Sequence, residues 1–170
     1  YNYKNEGKLG YYKVEIFKAY APYYFDYKEK LLCIVSAINL VKLLTVESQS
    51  NVNVFNLIGD LYSIINIDDW VKEYIFWELK LLEIVGFNLQ LNKIAKSEVI
   101  NNEKKYFVGS NSEKKYIPNF LIDRDEKKLD KKTLSKALKL VGDFLEKNVL
   151  KPNNINYPNS RLDFVNLFKK

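Results

Sequence analysis

The sequence predicts a mainly α protein: a helical bundle with a small β-hairpin excursion. Three observations predict it. Apolar residues recur at helical spacing over four long stretches, about residues 27–46, 52–65, 69–85 and 131–149. Only the region between Gly86 and Asp130 trades that period for short runs around Gly109-Ser-Asn-Ser112. And 170 residues, 47% of them hydrophobic, suffice for one sizeable core.

The elements follow in order. Residues 11–18 alternate and are rich in aromatic and β-branched types, which predicts a strand. The stretch from Tyr27 to Val46 is apolar almost all round, at Leu31, Ile34, Val35, Ile38 and Val41, and is expected at the centre of the bundle. A second helix, Val52 to Ile65, carries Phe55, Ile58, Tyr62 and Ile65 on one side. The third sets Tyr74, Ile75, Leu79, Leu82 and Val85 toward a core, with Asp68 or Asp69 as its expected cap and Gly86 as its left-handed stop. Glu103 to Val108 and Lys114 to Ile117 flank a turn, so a hairpin is expected over about 100–118, ended by Pro118. Asp123 to Asp130 reads as a charged loop. The fourth helix is capped by Asp130 and stopped before Pro152, with the stripe Leu134, Leu138, Val141, Leu145 and Val149. A linker at 153–158 and a short amphipathic helix, Arg161 to Phe168, complete the chain.

Composition narrows the chemistry. There is no histidine, which removes the commonest general base and most zinc sites. No glycine-rich phosphate loop is present. Asp68/Asp69 and Asp123/Asp125/Glu126 are better explained as a helix start and a solvated loop than as acid–base pairs. No catalysis, metal or cofactor is therefore expected. The lone Cys33 sits in an apolar run, so no disulfide forms within the chain and a reducing, cytoplasmic setting is expected. That run, Leu31 to Val41, is too short to span a bilayer. The chain neither begins with Met nor contains one, and is read as a fragment of a longer protein.

The net charge of +6 is unevenly spread: residues 1–100 sum to −1 and residues 101–170 to +7. Local positive charge draws polyanions. Lys128, Lys132, Lys136 and Lys139 share one helix face, opposite the Leu134 stripe. Lys104, Lys105, Lys114 and Lys115 sit on the two hairpin arms, interleaved with Tyr106, Phe107 and Tyr116. Ammonium groups can track phosphates while aromatic faces stack on unpaired bases, so these eight lysines are the candidate nucleic-acid contacts. A Lys-rich chain also produces such faces merely as solvated surface.

The string Trp77-Glu-Leu-Lys-Leu-Leu-Glu-Ile-Val-Gly-Phe87, followed by Asn88-Leu-Gln-Leu91, resembles the central helix of the RecO family of bacterial recombination mediators. Leu9-Gly-Tyr-Tyr-Lys-Val-Glu-Ile16 resembles the strand that ends that family's N-terminal OB barrel, and Ala137 to Pro152 its late helix. The resemblance covers roughly residues 9–168. It implies that residues 1–22 are the remnant of an OB barrel whose remainder is missing, and residues 23–170 an α-helical domain. It further implies a non-catalytic protein that binds single- and double-stranded DNA, promotes annealing, and acts with RecR to load RecA in gap repair. Members also recruit single-stranded-DNA-binding protein (SSB) through its acidic, Phe-ended C-terminal tail. Leu134, Leu138 and Val141 beside Lys139 are the expected seam for that tail. Many members carry cysteine pairs that form a zinc finger; here Ile94 stands where a cysteine is often found, and four ligands cannot be assembled. A module that binds an acidic protein partner, with no nucleic-acid contact, is the alternative.

Overall fold

A computed structural model describes residues 13–16, 18–110, 114–124 and 129–169. Helices α1 (Lys28–Leu44), α2 (Val52–Ile64) and α3 (Trp70–Ile84) lead, after a 3₁₀ turn at Ala21–Tyr24. A short α4 (Leu91–Ile94) precedes three strands, β1 (Lys96–Ile100), β2 (Glu103–Val108) and β3 (Lys115–Ile117). Then come α5 (Phe120–Asp123), α6 (Lys131–Leu145) and α7 (Asn159–Asn166).

Local chemistry fixes most boundaries. The Asn51 side chain accepts from the Val54 N–H at 3.0 Å and opens α2, and Asp130 accepts from the Thr133 N–H at 2.8 Å and opens α6. Gly86, at φ +95°, closes α3. The Phe87 N–H reaches the Leu82 carbonyl at 2.7 Å and the Gly86 N–H that of Glu83 at 3.1 Å, the two bonds of a Schellman stop. The start of α3 differs from expectation: Asp69 stands at the cap position, but its side chain makes no capping bond. Beyond Leu145, α6 loosens into a π turn over Glu146–Leu150, and Pro152 lies in the 3₁₀ turn that follows.

Two corrections concern which faces are buried. The centre of the bundle is α3, not α1: Trp70, Val71, Tyr74, Ile75, Trp77, Leu81 and Leu82 are all buried, while α1 leaves Val35 and Lys42 in solvent. The Trp77 indole donates to the Leu57 carbonyl at 2.6 Å, and the hydroxyls of Ser36 and Tyr74 meet at 3.2 Å, so α2 and α1 both dock on α3. On α2 the buried stripe is Val54, Leu57, Leu61 and Ile65, whereas Phe55 is 76% exposed. Both stripes of α2 are apolar, and only the neighbouring helix decides between them.

The sheet is antiparallel in the order β1-β2-β3. The expected hairpin is β2 and β3. Strand β1 is an addition to it, joined to β2 through Asn101 and Asn102, at φ +51° and +62°, the geometry of a tight two-residue turn. The strand expected over 11–18 is not formed at Lys13–Ile16, where Val14 and Ile16 are exposed; a strand needs a paired neighbour, and none of the described residues pairs there. The rest of that stretch lies largely outside the described residues, as do Asp125 and Glu126 of the expected charged loop.

A charged pair is built into the core. Arg161 of α7 and Glu78 of α3 are each 2% exposed. Arg161 donates from Nε to Glu78 Oε1 at 2.9 Å and from Nη2 to Oε2 at 2.7 Å, with a further bond to the Leu138 carbonyl at 3.1 Å. Tyr74 donates to Glu78 Oε1 at 2.8 Å. Burial works against the Arg161 charge, yet the Glu78 carboxylate outweighs it and holds the guanidinium protonated beyond its usual range.

Candidate nucleic-acid interface

On α6 the amphipathic pattern resolves into two faces. Ala137, Leu138, Val141 and Leu145 turn into the core, while Lys132, Lys136 and Lys139 are exposed and make no ion pair among the described residues. Lys131 is exposed as well. At 1.5 Å of rise per residue the three lysines extend over roughly 10 Å of one helix face. Lys128, expected to continue the row, lies outside the described residues. The expected partner seam is corrected here. Leu138 and Val141 are at 0% and 1% exposure and point away from Lys139, so no surface seam joins them; only Leu134, half-buried, remains near the surface. The same period that puts lysines on one side puts that stripe on the other.

Strand alternation divides the hairpin lysines. Tyr106 pairs with Ile117 and Phe107 with Tyr116, so Lys104 and Lys115 lie on one face of the sheet and Lys105 on the other. Lys104 donates to the Tyr106 hydroxyl at 2.5 Å, and that hydroxyl to Asp123 Oδ1 at 2.5 Å. The Tyr106 contact raises the ammonium pKa of Lys104. Lys114 is paired with Glu98 and lies 4.6 Å from the centre of the Phe107 ring. Glu98 also accepts from the Tyr116 hydroxyl at 2.8 Å. The Lys114 hydrogen bond, then the Tyr116 one, lowers the Glu98 carboxyl pKa, and the same Glu98 contact raises that of Lys114. Lys105 is 3.9 Å from Glu103. Lys115 is exposed. Of the three aromatics expected to offer faces to bases, Tyr106 and Phe107 are buried, and Tyr116 alone is 51% exposed.

A groove of about 850 Å³ separates the sheet from the start of α6. Ile117, Pro118, Phe120 and Leu129 make it mostly apolar, Lys105 stands on the sheet side and Lys136 on the α6 side. No sequence pattern signals this groove, because its walls come from separate elements. Elsewhere, Cys33 is buried, and burial raises its thiol pKa. Among the described residues no three His, Cys, Asp or Glu side chains gather as a metal site. No helix of the described residues is long and apolar enough to cross a membrane.

Residues 28–154 match the family described as Recombination protein O C terminal. A Rickettsia canadensis protein named DNA repair protein RecO is 33% identical over 104 residues, which is 61% of this chain and 42% of that protein. Proteins of the same name from Rhodospirillum centenum and Rickettsia akari are 23% identical over 177 residues and 27% over 169, covering 96% and 92% of this chain and 70% of each relative. No solved structure matches the chain.

Proposed function

The chain belongs to the RecO family, and from that premise we propose that it is a non-catalytic DNA-binding protein of DNA repair and recombination. One observation carries the DNA contact: the lysine face of α6, exposed and without an ion pair among the described residues, opposite a stripe whose Leu138, Val141 and Leu145 are buried. Ammonium groups in solvent hold phosphates as point charges and release condensed counterions, which gives affinity without base specificity. Single strands and duplexes are both substrates of such a face. The finer role we ascribe is annealing of complementary strands and, with RecR, loading of RecA on DNA coated by SSB, whose acidic tail is a further partner. The family membership and the basic C-terminal half support that reading.

The test is the joint change Lys132→Glu, Lys136→Glu and Lys139→Glu in the 170-residue chain. DNA affinity should fall for every sequence tried, and the slope of log affinity against log salt should flatten by about 0.9 for each duplex phosphate that is no longer neutralised. Unchanged affinity would move the site off α6. If instead the wild-type chain bound only acidic peptides, with a shallow salt dependence, it would be a protein-interaction module.

A further inference from the structure

We propose that the groove between the sheet and α6 receives unpaired bases of a single strand whose phosphates run along the α6 lysines. The inference deepens the DNA-binding reading above and rests on it. The groove has the size of a ligand site, within the roughly 300–1,000 Å³ such sites span. Its mostly apolar lining suits the faces of bases. At its lip stands Tyr116, half in solvent yet held from two sides: its hydroxyl donates to Glu98 at 2.8 Å, and its ring meets Phe107 edge-on at 6.3 Å between centroids. A ring fixed in this way stacks on a base without first losing rotamer freedom.

Charge complementarity runs the same way. Lys105 and Lys136 flank the opening, and Lys139 carries the positive row on along α6 past it. The lining's three lysines, Lys104, Lys105 and Lys136, outnumber its two acids: Asp123, which accepts from Tyr106 at 2.5 Å, and Glu103, 3.9 Å from Lys105. A cation row that outruns the groove fits a repeating polyanion better than a ligand with one anionic end. A duplex keeps its base faces stacked, so it can use the lysines but not the groove.

The experiment compares a single-stranded oligonucleotide with a duplex of equal length by fluorescence anisotropy, on the wild-type chain, Tyr116→Ala, Tyr116→Phe and the α6 triple variant. Tyr116→Ala should weaken single-strand binding about 5- to 150-fold, the equivalent of roughly 1–3 kcal/mol for one stacked base, and leave duplex binding within about twofold. Tyr116→Phe keeps the ring and should keep the single-strand affinity. Should Tyr116→Ala disturb the hairpin, the wild-type chain still decides: a strand carrying 2-aminopurine must change fluorescence on binding, and unchanged fluorescence overturns the proposal. Equal losses on both DNAs, or none, from Tyr116→Ala overturn it too, while leaving the α6 reading intact as long as the triple variant still loses both. A Phe-ended acidic peptide that needs Tyr116, with single-strand affinity indifferent to it, would give the groove to a peptide and likewise overturn the proposal.

Discussion

Glu78 and Arg161 face each other at 2% exposure through two hydrogen bonds, whereas Lys132, Lys136 and Lys139 stand in solvent with no ion pair among the described residues. Both sets belong to helices that share one core, yet their charges do opposite things. The buried pair finds its partners within the protein: Arg161 also holds the Leu138 carbonyl, and Tyr74 donates to Glu78. Its geometry ties α7 to α3 and α6 and leaves nothing to offer a ligand. The α6 lysines contribute little to the fold, which is why the proposed reading gives them to phosphates. A charge inside this molecule is architecture, and a charge left unpaired outside it is a candidate contact.

The sharpest way to break the contrast is to remove one member of each set. Arg161→Ala strands Glu78 in the core with Tyr74 as its one remaining hydrogen-bond partner among the described residues, and should cost about 3–5 kcal/mol of stability in urea titration. Reversing the three α6 lysines should change stability by no more than roughly 0.5 kcal/mol per site. If Arg161→Ala were as mild as the surface changes, the buried pair would not be what holds α7 in place.

A second comparison lies within α2. Leu61 is fully buried and Phe55 is 76% exposed, less than two turns apart. Leu61→Ala should cost about 2–5 kcal/mol, and Phe55→Ala within roughly 0.5 kcal/mol, by the same titration. Equal costs would mean that α2 presents a different face to α3.

These pairs also mark what could be read from the residues alone. The long helices, the Gly86 stop, the Asp130 cap and the β2–β3 hairpin follow from periodicity and turn chemistry, which act over a few residues. The choice of buried face on α2 does not, because Val54, Leu57 and Leu61 and, beside them, Phe55, Ile58 and Tyr62 both recur at helical spacing with large side chains. Strand β1 reads as Lys-Ser-Glu-Val-Ile, mostly polar, and forms because β2 lies beside it; Asn101-Asn102, suited to positive φ, is the available signal. Glu78 falls inside the stretch that carries the family resemblance, but its partner is 83 residues away, and no local pattern joins them. The α6 lysine face is legible as a stripe, and its separation from the Leu138–Val141 stripe follows from the same 3.6 period. The groove is not legible, since Lys105 and Lys136 come together only once the sheet has docked.

A smaller effect sharpens the view of the core around Arg161. A Cβ at Gly142 would sit 2.7 Å from the Tyr157 hydroxyl and 3.1 Å from Arg161 Nη1. That hydroxyl is buried without a hydrogen-bond partner among the described residues, and burial pushes its pKa up to about 12. Gly142→Ala should therefore cost about 1–3 kcal/mol through overpacking. Tyr157→Phe removes both the obstructing oxygen and an unsatisfied polar group, and by itself should be close to neutral. In the double variant part of the Gly142→Ala loss should be recovered, a coupling visible in a double-mutant cycle. Strict additivity would show that the clash lies with Arg161 instead.

The smallest expected effect concerns the start of α6, where the two behaviours of charge meet in one residue. Asp130 is exposed like the lysines, but its carboxylate is used within the fold, accepting from the Thr133 N–H at 2.8 Å. The bonds from Thr133 lower its pKa in the folded chain, with lesser help from Lys132 and Lys136. A carboxyl whose folded pKa is depressed adds stability above its unfolded pKa, near 3.9, and loses that stability as pH falls through the lower folded value. Denaturant titrations between neutral pH and about pH 2 should therefore show the cost of Asp130→Asn shrinking in the acidic range, because protonation has by then weakened the native cap. Asparagine still accepts a hydrogen bond at the cap position, so the comparison isolates the charge. A difference that stayed constant with pH would assign the capping to hydrogen bonding alone, and would place Asp130 outside the electrostatics of the lysine face it precedes.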